Sequence, residues 1–316
     1  MAMATALVSR ATAVGKVACG AGHSLRLGAG GSVAGWGWNR YGQCSAPAPN
    51  TGFVAVAAGH SHSLGLRADG SIAAWGDGRE GQCAPASSGG FAAVAAGNRH
   101  SIGLMDDGSV AAWGWNYYGQ CGAPRPNGGI AAVAAGGFHS LALRADGSVA
   151  AWGRNDYGQC DAPAGAGFVA VAAGWWHSLG LMYDGTVAAW GHNGRGQCHV
   201  PPGGFAAVAA GEDHSLGLRA DGSIVAWGDN RWGQCGMPAP NAGFVAVASG
   251  RLHGVGVRSD GSAAAWGDNA LRQCDVPAAV ALAAAARRPP ARRAPAGEEA
   301  RLRARRDEAL RRALGF

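Results

Sequence analysis

Two residue types recur at a spacing that invites a chemical reading. Histidine stands at 23, 62, 100, 139, 177, 214 and 253, and cysteine at 44, 83, 121, 160, 198, 235 and 274. An imidazole can ligate zinc or serve as a base, and a thiolate can ligate, attack or cross-link. Each series advances by 37–39 residues. Residues at one position of a repeated unit are spread around or along an assembly, whereas zinc needs its ligand nitrogens about 2 Å from a single ion. A disulfide needs Cα atoms roughly 4.4–6.8 Å apart. The spacing therefore predicts structural histidines that bridge backbone groups between strands, and cysteines that act as small buried hydrophobes. An eighth cysteine, Cys19, stands where other units have Ala or Ser. No metal or cofactor is expected.

Carboxylate pairs occur at Asp106-Asp107 and Glu212-Asp213. Asp107 falls in a hairpin turn by register, and Glu212-Asp213 falls in a variable surface pair. No Walker loop, Gly-x-Ser-x-Gly elbow, His-Glu-x-x-His or dinucleotide glycine run is present. Nothing assembles a nucleophile, a base and an orienting group, so no catalytic residue is assigned and no enzyme activity is expected.

The elements that must position these residues follow from a third marker. The Trp of a Trp-Gly pair recurs at 36, 75, 113, 152, 190, 227 and 266, in step with His and Cys. Each unit reads approximately F-V-A-V-A-A-G-x-x-H-S-L-G-L-R-A-D-G-S-V-A-A-W-G-x-N-x-x-G-Q-C-x-x-P. Glycine supplies 55 of 316 residues, too many and too regularly placed for helices. The short apolar run 53–58, the apolar stretch 64–66, the Asp69-Gly70 hairpin signal and the run 71–75 give three clear strands. A weaker fourth is expected after the Asn-x-x-Gly-Gln turn. Seven such four-stranded units predict an all-β fold, a seven-bladed β-propeller of seven 37–39-residue repeats.

The Trp113-Gly114-Trp115-Asn116-Tyr117-Tyr118-Gly119-Gln120 run and its six counterparts resemble the repeats of the regulator of chromosome condensation family. Departures are few: Gly78 replaces Asn in the second unit and Arg272 replaces Gly in the seventh. The resemblance covers about residues 12–278 and implies a seven-bladed propeller. Its compact repeats are similar to those of the bacterial propellers that inhibit β-lactamases. It also implies guanine-nucleotide exchange on a small GTPase as one candidate activity, although the uniform unit lengths leave no room for a long inserted wedge.

Comparison of the seven copies separates constant from variable positions. Variation falls on the pair between Gly and His and on the residues around Asn. In an up-and-down blade both sets lie at one end of the disc. Trp38, Tyr41, Arg99, Trp115, Tyr117, Tyr118, Phe138, Tyr157, Trp175, Trp176 and Trp232, with Glu212 and Asp213, are therefore expected to form one partner-binding face. Exposed aromatics rimmed by charge are characteristic of protein-binding surfaces.

Charge is segregated. The chain carries 26 basic and 20 acidic residues, and 279–316 holds ten arginines and four acids, which leaves the repeat region neutral. Residues 1–11 read as a leader, 12–278 as the propeller, and 279–316 as an Arg-rich linker with a short helix over 298–314. Contact with nucleic acid or an acidic surface is expected only through that tail. No stretch is long and apolar enough for a membrane helix, and no secretory signal is seen. The expectation is a monomeric, non-enzymatic scaffold or adaptor in the cytoplasm, with the basic tail as a route to the nucleus. It would bind a protein partner through the variable face. The alternatives are an exchange factor for a small GTPase or a proteinaceous enzyme inhibitor.

Overall fold

The computed structural model describes residues 16–281. The leader and the 298–314 segment lie outside the described residues. Seven antiparallel three-stranded sheets follow one another along the chain, each made from consecutive strands. The second blade is representative: an inner strand Phe53–Ala58, a middle strand His62–Arg67 and an outer strand Ile72–Gly76. Its first strands pair through Val56 with Gly65 and its last through Ser63 with Trp75. The inner strands of all seven blades contact their neighbours in a closed ring, the first touching both the second and the seventh. This is a seven-bladed propeller.

The sequence explains the blade. The Asp-Gly turn closes because Asp69 accepts from the Ser71 amide at 2.9 Å and from its hydroxyl at 2.6 Å. The inner strand begins with a phenylalanine whose ring lies over a glycine of the middle strand. A Cβ on Gly65 would stand 2.6 Å from the Phe53 ring. In the fourth blade Ile130 replaces the phenylalanine, and Ala142 fills the vacated space, fully buried.

The expected fourth strand does not form. Residues 77–85 fold as consecutive turns, with Gly81 N–H donating to Gly78 and Ala84 N–H to Gly81. The reason lies in Gln82. Its side-chain oxygen accepts from the Glu80 amide at 2.9 Å, and its backbone carbonyl accepts from Trp113 and Ser101 of the following blade. A carbonyl committed to the next blade is not available to a ladder.

Blade contacts repeat seven times. Each Trp-Gly tryptophan donates Nε1–H to the carbonyl of the preceding blade's Gln, at 2.8–3.0 Å, from Trp36 to Gln273 around to Trp266 to Gln234. The first of these bonds joins the two ends of the ring. Among the described residues no strand is exchanged between the ends. Arg26 adds bonds to the carbonyls of Gly261 and Val280, and Val280 is buried against Val17, Trp36 and Val257. Val280 belongs to one helical turn, Ala278–Ala281.

Candidate functional site

The histidines prove to be blade connectors, and their partners are hydroxyls rather than the expected backbone groups. Nε2 of His62 lies 2.9 Å from Oγ of Ser101 in the next blade, and the same contact links His23 to Ser63, His100 to Ser140, His139 to Ser178, His177 to Ser215 and His253 to Ser24. These six dyads have the outward form of a nucleophile beside its base. Their hydrogen bonding shows otherwise. Ser101 donates its only proton to the Gln82 carbonyl at 2.9 Å, so it accepts from His62, which must carry its proton on Nε2. Every histidine and serine of these dyads is fully buried. Burial pushes the histidines down to about 3 or 4, because the charged ring would present an Nδ1–H with no acceptor. A base of that kind cannot activate a serine at neutral pH.

The seventh blade departs from this pattern. Gly254 stands where the serine should be, since a Cβ there would meet Trp266 at 2.5 Å. The hydroxyl is supplied from the adjacent strand by Ser249, which pairs with Gly254 in register and reaches His214 at 2.9 Å. Every other described blade has Ala or Cys at that position.

The cysteines are free, and seven of them are half-buried. Each of those seven sends its thiol to a backbone carbonyl six residues earlier, as Cys44 does to Trp38. Burial pushes Cys44 up to about 11 and Cys160 to about 12, which leaves them as poor nucleophiles. Among the described residues no three His, Cys, Asp or Glu side chains converge as a metal site.

The variable positions do meet on one face. Phe138 is the hub. It contacts Trp115, Tyr118, Trp175 and Trp176, with ring centroids 5.1–6.4 Å apart. Tyr117 stacks on Trp115 at 5.9 Å and Tyr157 meets Trp176 edge-on at 5.7 Å. Trp38 and Tyr41 form a pair in the first blade, joined to Trp175 through His60. One connected aromatic surface thus spans five blades. Tyr117 and Tyr157 are exposed, at 78% and 50%, while the others are half-buried and form its base.

The remaining expected residues are less uniform. Arg99 is exposed and pairs with Glu80. Glu212 is bound by Arg251 at 2.8 Å. Asp213 accepts from the amide of Gln197 at 2.8 Å, close to His192. The acidic pair is therefore internally satisfied. Trp232 is 55% exposed and stands apart from the aromatic cluster. Four residues of this face were not among those expected. Arg154 lies over Tyr118 and Trp176, each at 4.7 Å, and so links the third, fourth and fifth blades. Arg251 lies over Trp175 at 5.2 Å. His60 and His192 extend the aromatic surface at its two ends. All four occupy the same variable positions, so the copy-to-copy variation that marked the aromatics marked them too.

The pattern of the Regulator of chromosome condensation (RCC1) repeat matches residues 53–82, 91–120, 130–159, 168–197 and 205–234. The chain belongs to the RCC1-repeat family. The first and seventh blades of this RCC1-repeat propeller fall outside the matched segments but have the same three-stranded form. A search of curated protein sequences finds no match. Among solved structures, the ectodomain of the Physcomitrella patens receptor kinase CR4 superposes with a TM-score of 0.68 at 23% identity, over 80% of this chain and 72% of that one. Prp20p of Saccharomyces cerevisiae gives 0.66 at 21%, over 77% and 82%. Human WBSCR16 gives 0.66 at 23%, over 77% and 86%. These likenesses establish the shared fold.

Proposed function

We propose that this propeller is a non-enzymatic interaction module that docks a protein partner on the aromatic sector of blades one to five. The observation that carries the reading is the continuous Trp, Tyr, Phe and Arg surface built wholly from positions that differ between otherwise uniform repeats. Trp, Tyr and Arg dominate the energetics of protein interfaces, and pre-stacked rings lose little freedom on binding. Two exposed tyrosines stand on a base of half-buried rings braced by Arg154. One solved propeller of this fold, Prp20p, is described with its binding properties to Gsp1p and histones, and yeast RCC1 is described bound to Kap60. These give protein partners to try first.

The test is affinity capture with three baits: the full chain, residues 1–281, which keep the Val280 contact at the ring closure, and the full chain with Trp115, Tyr118, Trp175 and Trp176 changed to Ala. The proposal expects a stoichiometric partner that survives removal of the tail and is lost with the aromatic changes. A partner lost with the tail and indifferent to the aromatics would transfer the binding function to residues 282–316. Nucleotide release from a captured GTPase would convert the scaffold reading into the exchange reading.

A further inference from the structure

The ring of blades leaves a cavity of about 150 Å³ on its axis, open toward the variable face. Its waist is a circle of seven glycines that follows from the repeat. A Cβ on Gly136 would lie 2.5 Å from the carbonyl of Gly174 in the next blade, and the same close approach recurs at Gly20, Gly59, Gly97, Gly174, Gly211 and Gly250. Below the waist are small side chains. Above it the lining changes with each blade, because the first residue of the variable pair stands there.

Four of those upper residues give the cavity a chemical character. Trp175 offers a ring flanked by the His60 imidazole at 6.0 Å and the Arg251 guanidinium at 5.2 Å. Asn98 completes the rim. Among the described residues no Asp or Glu lines the cavity itself, and its one charged lining side chain, Arg251, is paired with Glu212 beside it. Glu212 holds Arg251 through Nε alone, so among the described residues the two Nη groups remain for another acceptor. His60 brings no second charge, since burial and then Arg251 and Arg99 hold its ring below the ordinary imidazole range. A guanidinium edge recognises a carboxylate in two-point fashion, and a ring face accepts a planar body. A cavity of about 150 Å³ is the size that holds benzene in other proteins.

We infer that the axial cavity is a binding site for a small planar carboxylate, its carboxyl group on Arg251 with Asn98 and His60 beside it and its body against Trp175. The same chemistry could be presented by a free organic acid or by an acidic side chain of a bound protein, and the two are separable. Ligand-observed NMR and calorimetry on the full chain would use benzoate as the free-acid probe and an acetylated, amidated Gly-Glu-Gly peptide as the protein-borne one. Benzamide serves as the uncharged control. Benzoate should bind one per chain with a dissociation constant of about 1 mM or below. Benzamide should bind at least roughly tenfold more weakly, and Arg251→Gln should lose at least roughly tenfold for benzoate while melting as the parent does. Asn98→Leu gives the same reading should Arg251→Gln fail to fold. Binding of the peptide without benzoate would assign the cavity to a partner's acidic side chain. Binding of neither, or benzoate binding that ignores Arg251→Gln and Asn98→Leu, would overturn the inference. The outcome does not depend on the aromatic docking face, because no macromolecular partner enters the assay.

Discussion

The layer between the blades and the face above it are built at the same seven places by opposite rules. Between the blades, histidine, tryptophan and glutamine recur without exception, and one hydroxyl per blade completes the set. On the face, the two residues before each histidine are different in every blade: Trp175-Trp176 in the fifth, Glu212-Asp213 in the sixth and Arg251-Leu252 in the seventh. The layer is a closed circuit in which each His Nε2, each Trp Nε1 and each Gln carbonyl answers a partner one blade away, so a change in one blade disturbs its neighbour. The face carries no such obligation and can accumulate aromatic surface on one side of the ring. Repetition supplies the rigid disc, and release from repetition supplies the aromatic face on which partner docking is proposed.

The largest effect that could break this comparison is acidification. The seven histidines are neutral in the fold, with values near 3 or 4, and an unfolded histidine takes up its proton near 6.5. Below that value the unfolded chain binds more protons than the folded one. The histidine contribution is therefore intact above pH 6.5 and lost as pH falls. At pH 5.5 each site costs about 1.4 kcal/mol and the seven together about 10 kcal/mol, comparable with the whole stability of a domain. Circular dichroism against pH should show cooperative unfolding near pH 5. A fold that persists to pH 4 would mean that the histidines can charge in place.

The next effect is steric. Gly136→Ala places a methyl group 2.4 Å from the His139 ring and 2.5 Å from the Gly174 carbonyl, and should cost about 3 kcal/mol or prevent folding. Thermal melting measures it directly. Ser249→Ala should cost about 1–3 kcal/mol by denaturant unfolding, because the buried Nε2–H of His214 loses its acceptor. Loss of less than about 0.5 kcal/mol would show that the relocated hydroxyl is not part of the circuit. Arg272→Gly works in the other direction. Six blades place glycine at this turn with φ near +80°, and Arg272 adopts +62°. Glycine there should raise stability by about 1 kcal/mol.

The constant layer was more legible in the sequence than the face. Histidine, tryptophan and cysteine announced themselves by recurrence, and the Asp-Gly turn by its chemistry. Their partners did not, because the Gln carbonyl and the Ser hydroxyl that receive them belong to a different blade and only closure of the ring brings them together. The expected fourth strand is absent for the same reason: Gln82 uses its backbone across the blade boundary rather than along the sheet. On the face, the variable positions located the aromatic surface, but pair chemistry set its true extent. Arg154 and His60 become part of it only when their neighbours' rings are in place, and Glu212 and Asp213 are withdrawn from it by Arg251 and Gln197.

The division between layer and face is tested most directly by a crossed experiment on the captured partner. Tyr117→Ala/Tyr157→Ala removes exposed rings, and Ser140→Ala removes the acceptor of His100. Melting temperature and partner affinity would be measured for both. The first variant should melt as the parent does and lose at least roughly tenfold in affinity, as interface aromatics do. The second should lose about 1–3 kcal/mol of stability and keep its affinity at temperatures where it is folded. If the tyrosine variant bound as tightly as the parent, or if each variant lowered stability and affinity together, the layer and the face would not be separate devices.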